Sequence, residues 1–279
     1  MRCGLIGAGI DASFSPALHE TEARHQGLDL TYELIDVDRA GTPAALGRLL
    51  DDAERDGFAG LNITHPFKQD VLGLLDRLSP QAQAIGAVNT VVLRDGERHG
   101  HNTDAYGFTA SFRAGLPGLS LANVVQLGAG GAGAACAHAL LGMGAGHLTV
   151  IDPDLDRRGL LAETLALHFD TDRIAVADPV DLPAAIAPAD GLVNASPVGM
   201  HKHPGLPLPA SLLRDGLWVA DIVYMPPRTP LLRAAHAAGL RTLGGSAMCA
   251  YQAAAAFQLF TGRTPDTARM LRHLDVLLS

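Results

Sequence analysis

Cysteine is scarce in this sequence: Cys3, Cys136 and Cys249 are odd in number, far apart and without any CxxC spacing. That usage points to a reducing compartment and away from a zinc site, with all three as small buried residues. No metal is expected. Basic runs are also lacking, and the formal charge is -8, which argues against nucleic acid or an anionic membrane surface as the main partner. An anionic ligand must then be held by local groups. There is no charged leader region, no cleavage site and no apolar stretch of ~18 residues, so the cytoplasm is the expected location and no membrane partner is expected. Charged residues reach only 18%, too few for a disordered chain, whereas 48% hydrophobic residues can fill real cores.

At 279 residues the chain exceeds the usual single-domain size of ~100–150 residues, so two compact units are expected, with one large domain as the alternative. No internal repeat is visible. Short β-branched runs alternate with Ala/Leu-rich stretches of helical period, the pattern of parallel sheets covered by helices. Residues 3–6, 31–37 and 61–64 read as strands, and 16–26 and 43–56 as helices. Residues 90–94 and 97–102 read as a hairpin, because Asp95-Gly96 supplies the positive φ angles of a tight turn. A second series begins at Asn123, with strands at 124–127, 148–152, 191–194 and 218–222 between Ala-rich helical segments, as in a doubly wound nucleotide-binding domain. After Leu243 only two helices follow, 247–261 and 265–279. The expected architecture is α/β with two domains. Residues 1–104 form a substrate domain completed by 244–279, whose helices return to it, and residues 105–243 form a Rossmann cofactor domain.

The strand at 124–127 runs into Gly128-Ala129-Gly130-Gly131-Ala132-Gly133 and then a helix at 134–143. Glycines there permit a tight turn and close approach to a pyrophosphate, which sits on the positive end of the helix. A second strand ends in Asp152, close to the ~20-residue offset of a ribose-binding acid. Strand, loop, helix, strand and acid in register outweigh an ordinary glycine turn. Gly7-Ala8-Gly9 imitates the motif, but no third glycine opens a helix after it, so it is not read as a cofactor site.

Alcohol oxidation by nicotinamide needs a hydride acceptor, a group that handles the hydroxyl proton, and hydrogen bonds that orient the substrate. Asn62-Ile63-Thr64-His65-Pro66-Phe67-Lys68 ends a strand and enters a helix, where α/β sheets usually build sites, and Lys68 is the natural proton handler. Asn102-Thr103-Asp104 closes the hairpin, and an aspartate near a lysine would hold its ammonium by a charge-assisted hydrogen bond. Alone, Lys68 reads as a solvated lysine and Asp104 as a helix cap.

In combination, these segments resemble the shikimate dehydrogenase family over essentially the whole chain. The matching blocks, in order, are Ser13-Phe14-Ser15-Pro16, Asn62 to Lys68, Gly86-Ala87-Val88-Asn89-Thr90, Asn102-Thr103-Asp104, Gly128 to Gly133, Asn194-Ala195-Ser196-Pro197-Val198-Gly199-Met200, Asp221-Ile222-Val223-Tyr224, and Gln252. The resemblance implies that Lys68 and Asp104 form the catalytic pair and that Ser13 and Ser15 bind the substrate carboxylate. It further implies that Thr64, Asn89 and Gln252 contact ring hydroxyls, with Tyr224 near the substrate. Ser196, Val198, Val223 and Gly245 would line the nicotinamide end of the cofactor site, and Met248 would also bind the cofactor. The function implied is reversible oxidation of a ring hydroxyl of shikimate or quinate.

The common biosynthetic members carry an Asn-Arg-Thr or similar run after the second cofactor strand, suited to a 2′-phosphate. Here Ile151-Asp152-Pro153-Asp154 stands instead, which is similar to the NAD-using quinate/shikimate branch. Thr64-His65-Pro66 and Tyr224-Met225-Pro226 point the same way. NAD is therefore the expected cofactor. NADP is the alternative, with Asp152 as a helix cap and Arg157 and Arg158 receiving the phosphate. The family's usual histidine before the first serine is Ala12 here.

His99 with His101, and His201 with His203, are two apart but lack a third ligand, and both pairs read as non-ligand loop residues. Gly245-Ser246-Ala247-Met248 lacks the GxSxG pattern of a serine hydrolase. A nonenzymatic NAD-sensing regulator of this fold and a cyclohydrolase-like or other reductase with a similar lysine remain the competing readings; intact Lys68, Asp104, Ser13 and Ser15 argue against the regulator. Monomer and homodimer are both allowed.

Overall fold

The computed structural model describes residues 1–38 and 46–279. The chain divides into two compact units, Met1–Thr103 with Ala250–Ser279, and Asp104–Cys249. The helix Thr267–Leu278 and the helix Gly245–Thr261 from Ala250 onward belong with the first unit, and the division falls inside the latter helix.

The first unit contains a six-stranded sheet. Its strands are β1 (Arg2–Gly7), β2 (Thr31–Asp36), β3 (Phe58–Ile63), β4 (Arg77–Leu78), β5 (Thr90–Arg94) and β6 (Glu97–His101), in the order β2-β1-β3-β5-β6-β4. β1 pairs in parallel with β2 and β3, while β5 pairs antiparallel with β3 and β6. Side chains alternate across such a sheet. Cys3 and Leu5 therefore pack on one face with Tyr32, Phe257 and Phe260, and Ile6 packs on the other with Leu50, Leu61 and Val91. Asp95 and Gly96 take φ of 55° and 75°, the turn the Asp-Gly pair predicts. The helix Thr267–Leu278 is tied to the helix Ser15–His25 by Arg269, whose Nε and Nη2 donate to the two oxygens of buried Glu22 at 2.9 and 2.8 Å.

The second unit is a doubly wound parallel sheet. Its strands are β7 (Asn123–Leu127), β8 (His147–Ile151), β9 (Ile174–Ala177), β10 (Gly191–Asn194), β11 (Trp218–Asp221) and β12 (Thr242–Leu243), in the order β12-β11-β10-β7-β8-β9. Every pairing is parallel. The chain leaves β7 in one direction to β8 and β9 and later returns to its other side at β10. The gap between β7 and β10 is therefore the switch point, where such sheets open a crevice beyond their carboxyl ends.

Several elements differ from those expected of the sequence. β4, β9 and β12 depart from the expectation: β4 and β12 are two residues long, and β9 is a four-residue strand within a stretch expected to be helical. Hydrogen bonding to a neighbouring strand overrides those weak local preferences. The segment after Thr64 enters a turn and then a 3₁₀ helix, Asp70–Leu74, rather than an α-helix. The glycine-loop helix begins at Gly131, earlier than 134. His99 and His101 lie in β6 and not in a loop. Of the helix expected at 43–56, the part before Leu46 lies outside the described residues, and Leu46–Arg55 is helical. Among the described residues no helix is long and apolar enough to cross a membrane.

Candidate active site

In the first unit the expected site residues Ser13, Ser15, Thr64, Lys68 and Asn89 gather at one edge of the sheet, together with Thr103. Ser13 and Ser15 follow β1, Thr64 and Lys68 follow β3, Asn89 precedes β5, and Thr103 follows β6. Because β5 runs opposite to its neighbours, its start lies beside their ends. Ser13 Oγ donates to Ser15 Oγ at 3.1 Å and accepts from the Ser15 N–H at 3.2 Å, so the two hydroxyls form one half-buried pair. The Lys68 carbonyl accepts from the Val88 N–H at 2.8 Å, which stitches the lysine loop to the segment carrying Asn89.

Asn89 is the hub of this edge. It is 3% exposed, and its Oδ1 accepts from the Thr103 N–H at 2.8 Å and from Thr90 Oγ1 at 3.0 Å. Those donors fix which end of the carboxamide is oxygen. Its Nδ2 donates to Thr103 Oγ1 at 2.8 Å, and Thr103 Oγ1 lies 3.5 Å from Gln252 Oε1. Asn62 extends the network, donating to Thr90 Oγ1 and the Asn89 carbonyl and accepting from the Tyr32 hydroxyl at 2.7 Å. Asn62, Thr103 and Tyr32 were not among the expected site residues. Asn62 and Thr103 lie inside quoted motifs, but nothing local marks them as the scaffold that aims Asn89.

The imitation motif Gly7-Ala8-Gly9 is engaged otherwise. The Gly9 and Ile10 N–H groups donate to the Asp36 carboxylate at 2.9 and 2.8 Å, so this loop is bound to its own sheet.

In the second unit the glycine loop follows β7. Gly128 has φ of 100°, and a Cβ there would stand 2.7 Å from the Ala195 carbonyl oxygen. A Cβ on Gly133 would overlap the Gly128 carbonyl. Gln126 braces the turn, its Nε2 donating to the Gly128 and Gly133 carbonyls at 2.9 Å each. No described atom lies within 4 Å of a Cβ placed on Gly130, the N-cap of the helix Gly131–Gly142. Open space over a glycine at a helix N-terminus, with first-turn N–H groups that have no intrahelical partner, suits a pyrophosphate.

Asp152 follows β8 and is 4% exposed, accepting from the Ala129 N–H at 2.8 Å and the Asp154 N–H at 2.9 Å. Its carboxylate is thereby held beside the glycine loop. Asp154, not Asp152, caps the helix Leu155–Ala166, accepting from the Arg157 N–H at 3.0 Å. The two arginines differ. Arg158 is sequestered, its Nη1 donating to the Asp152 and Ala177 carbonyls and to Asp178. Arg157 is half exposed, 3.8 Å from Asp152 and 3.4 Å from Asp154.

Beyond β10 and β11 lies the third cluster. Ser196 Oγ donates to Asn194 Oδ1 at 2.6 Å and accepts from the Val198 N–H at 3.3 Å. The Val223 N–H donates to Asp221 at 3.1 Å. Gly245 and Met248 lie past β12, in the helix Gly245–Thr261, and line a small pocket with Asp221 and Ile222. Asp221 is 1% exposed, and burial pushes its carboxyl up to about 6, against the opposing hydrogen bonds from Thr229, Val223 and Asn194. Asp104 opens the helix Asp104–Gly115 and is 5% exposed, and Tyr224 is half-buried beyond β11. Among the described residues no three metal-ligand side chains are grouped to hold a metal ion.

Known proteins match this arrangement over almost all of its length. Residues 5–91 match the model of the shikimate dehydrogenase substrate binding domain, and residues 245–274 that of the shikimate 5'-dehydrogenase C-terminal domain. A shikimate dehydrogenase (NADP(+)) of Streptomyces avermitilis is 59% identical over 98% of this chain and 94% of its own. The chain belongs to the shikimate dehydrogenase family.

Within the family, relatives of both cofactor types are near. A quinate/shikimate dehydrogenase (NAD(+)) of Corynebacterium efficiens is 48% identical over 96% of this chain and 95% of its own. The solved quinate dehydrogenase of Corynebacterium glutamicum in complex with NAD superposes with a TM-score of 0.90 at 46% identity, covering 99% of each chain. The shikimate 5-dehydrogenase of Thermus thermophilus in complex with NADP(H) and shikimate gives 0.84 at 37% identity, covering 100% of each.

Proposed function

We propose that this member of the shikimate dehydrogenase family is an NAD-dependent shikimate/quinate dehydrogenase, oxidising a ring hydroxyl of either acid reversibly to the 3-dehydro ketone. The observation that carries the substrate reading is the polar edge of the first unit, where a serine pair, a lysine loop and an aimed Asn89 stand together. Hydroxyl and amide donors of this kind receive a carboxylate and ring hydroxyls without a basic surface. Ser13 and Ser15 take the carboxylate, and Thr64, Asn89 and Gln252 take the ring hydroxyls. Thr103 fixes the Asn89 carboxamide, donating to its Oδ1 and accepting from its Nδ2.

Lys68 handles the proton of the hydroxyl being oxidised, and Asp104 orients the lysine, so the pair works as a unit. Tyr224 supports the substrate. Gly128 to Gly133 hold the cofactor pyrophosphate, Asp152 the adenosine ribose, and Ser196, Val198, Val223, Gly245 and Met248 the nicotinamide end. When bound, the nicotinamide accepts the hydride. A buried carboxylate at the ribose position favours NAD, because a 2′-phosphate would meet like charge. NADP use is the second reading, favoured by the half-exposed Arg157. The location proposed is the cytoplasm, and the chain acts on small molecules as a monomer or homodimer.

The test is cofactor reduction with shikimate and with quinate, in separate assays with NAD and NADP. Activity on both acids is expected, with shikimate at least as good. Inactivity with both acids under either cofactor overturns the substrate assignment.

A further inference from the structure

The functional roles given above leave the buried carboxylate of Asp221 unused, and it stands where several loops meet. Asp221 ends β11, and its register partner Asn194 ends the neighbouring β10. Both side chains are almost wholly buried, so each polar atom needs a defined partner. Asp221 Oδ1 accepts from Asn194 Nδ2 at 2.9 Å and from the Val223 N–H at 3.1 Å. Its Oδ2 accepts from Thr229 Oγ1 at 2.6 Å. Thr229 in turn caps the helix Pro230–Ala237, accepting from the Leu232 N–H.

Asn194 relays this arrangement outward. Its Nδ2 donates to both Asp221 and the Val198 carbonyl, the latter at 3.0 Å, so its Oδ1 must face Ser196, whose N–H and hydroxyl both donate to it. Were the Asn194 amide reversed, its oxygen would face the Asp221 carboxylate and the Val198 carbonyl, and the Ser196 N–H and hydroxyl would lose their acceptor. The acceptor-only Asp221 therefore decides the Asn194 orientation, and Asn194 decides where the 196–198 turn sits. One carboxylate holds the turn after β10, the segment after β11 and the start of a helix.

We infer that Asp221 is the positioning residue for the nicotinamide end of the cofactor site, acting through Asn194 on Ser196 and Val198 and directly on Val223. This rests on the cofactor reading above, which assigns those residues to the nicotinamide, and it adds a residue that touches neither cofactor nor substrate. The glycine loop and Asp152 are braced separately, by Gln126 and by backbone amides. Asp221 should therefore govern one end of the dinucleotide and not the other.

That separation supplies the experiment: titration of the full chain with NADH and with ADP-ribose, which lacks the nicotinamide. For Asp221→Ala the expected result is about a tenfold or greater loss of NADH affinity with ADP-ribose affinity within about twofold of the parent, as for a misplaced supporting group. Asp221→Asn keeps an oxygen toward Asn194 and Val223 and turns its amide to Thr229, whose hydroxyl can accept, so NADH affinity should stay within about threefold. Ser196→Ala cuts the relay one step downstream at a half-buried position, which keeps the test open if Asp221→Ala does not fold. It should show a smaller NADH loss, about threefold, with ADP-ribose again unchanged. Equal losses for the two ligands in folded variants, or unchanged NADH affinity in Asp221→Ala or Ser196→Ala, would overturn the inference. A parent that binds ADP-ribose but not NADH would remove it as well, and one that binds neither would bring down the cofactor reading itself.

Discussion

Replacing His19 by Leu should make the protein less sensitive to acid by an amount the structure allows to be worked out. His19 lies in the helix Ser15–His25 at 0% exposure, stacked on Tyr32 with ring centroids 4.6 Å apart and near Phe257 and Phe260. Among the described residues neither ring nitrogen has a hydrogen-bond partner. Burial among apolar rings penalises the imidazolium, so the pKa falls from 6.5 to about 3. The folded protein thus keeps His19 neutral where the unfolded chain would protonate it. Stability is fully present above the unfolded pKa and is lost as pH falls from there toward the folded one.

Each pH unit within that window costs about 1.4 kcal/mol, so moving from about pH 7.5 to about pH 5 should cost about 2 kcal/mol through this residue. Other titrating groups add their own pH dependence, which cancels when parent and variant are compared. Leu is close in volume and removes two unsatisfied nitrogens, so the variant should be at least as stable as the parent at neutral pH. Urea unfolding followed by far-ultraviolet circular dichroism at the two pH values reads the difference directly. The expected stability gap in favour of His19→Leu widens by about 2 kcal/mol at the lower pH. Identical pH dependence in the two proteins would refute the reasoning, whatever the absolute effect of the substitution.

Lys68→Ala should lower kcat by about 100-fold or more if the lysine moves the hydroxyl proton, and an unchanged kcat would end that assignment. NAD should give the higher kcat/KM in the parent, and the gap over NADP should shrink in Asp152→Ala. A parent that works better with NADP would show that Arg157 outweighs the buried carboxylate, while leaving the dehydrogenase reading in place. Gly133→Ala puts a Cβ onto the Gly128 carbonyl, so dinucleotide KM should rise by about tenfold or more with the KM for the acid little changed. A normal dinucleotide KM there would contradict the proposed pyrophosphate loop.

Sequence by itself determined the alternation of strands and helices, the Asp95-Gly96 hairpin, and the run from β7 through Gly133 to Asp152. These are legible because each is a local pattern, set by side-chain periodicity or by the backbone demands of a few consecutive residues. It also carried enough ordered motifs to point to the family. Tertiary structure alone decided which short segments became β4, β9 and β12, because a strand of two to four residues is specified by its hydrogen-bonding neighbour and not by its own composition. Only the fold brings Tyr32, Asn62, Asn89, Thr103 and Gln252 into one network, across separations in sequence as large as 149 residues for the Thr103–Gln252 contact. The Gly7-Ala8-Gly9 loop already differs from the Gly128 loop in sequence by its missing third glycine, and the fold adds what each loop holds: Asp36 takes two successive amides of the first, whereas the second opens a helix at Gly131 over free space. Asp221 shows the same limit, since its role depends on β10 and β11 ending in register so that Asn194 and Asp221 face each other. A carboxylate's pKa and purpose follow from the dielectric and the donors around it, and those are assembled only when the strands pair.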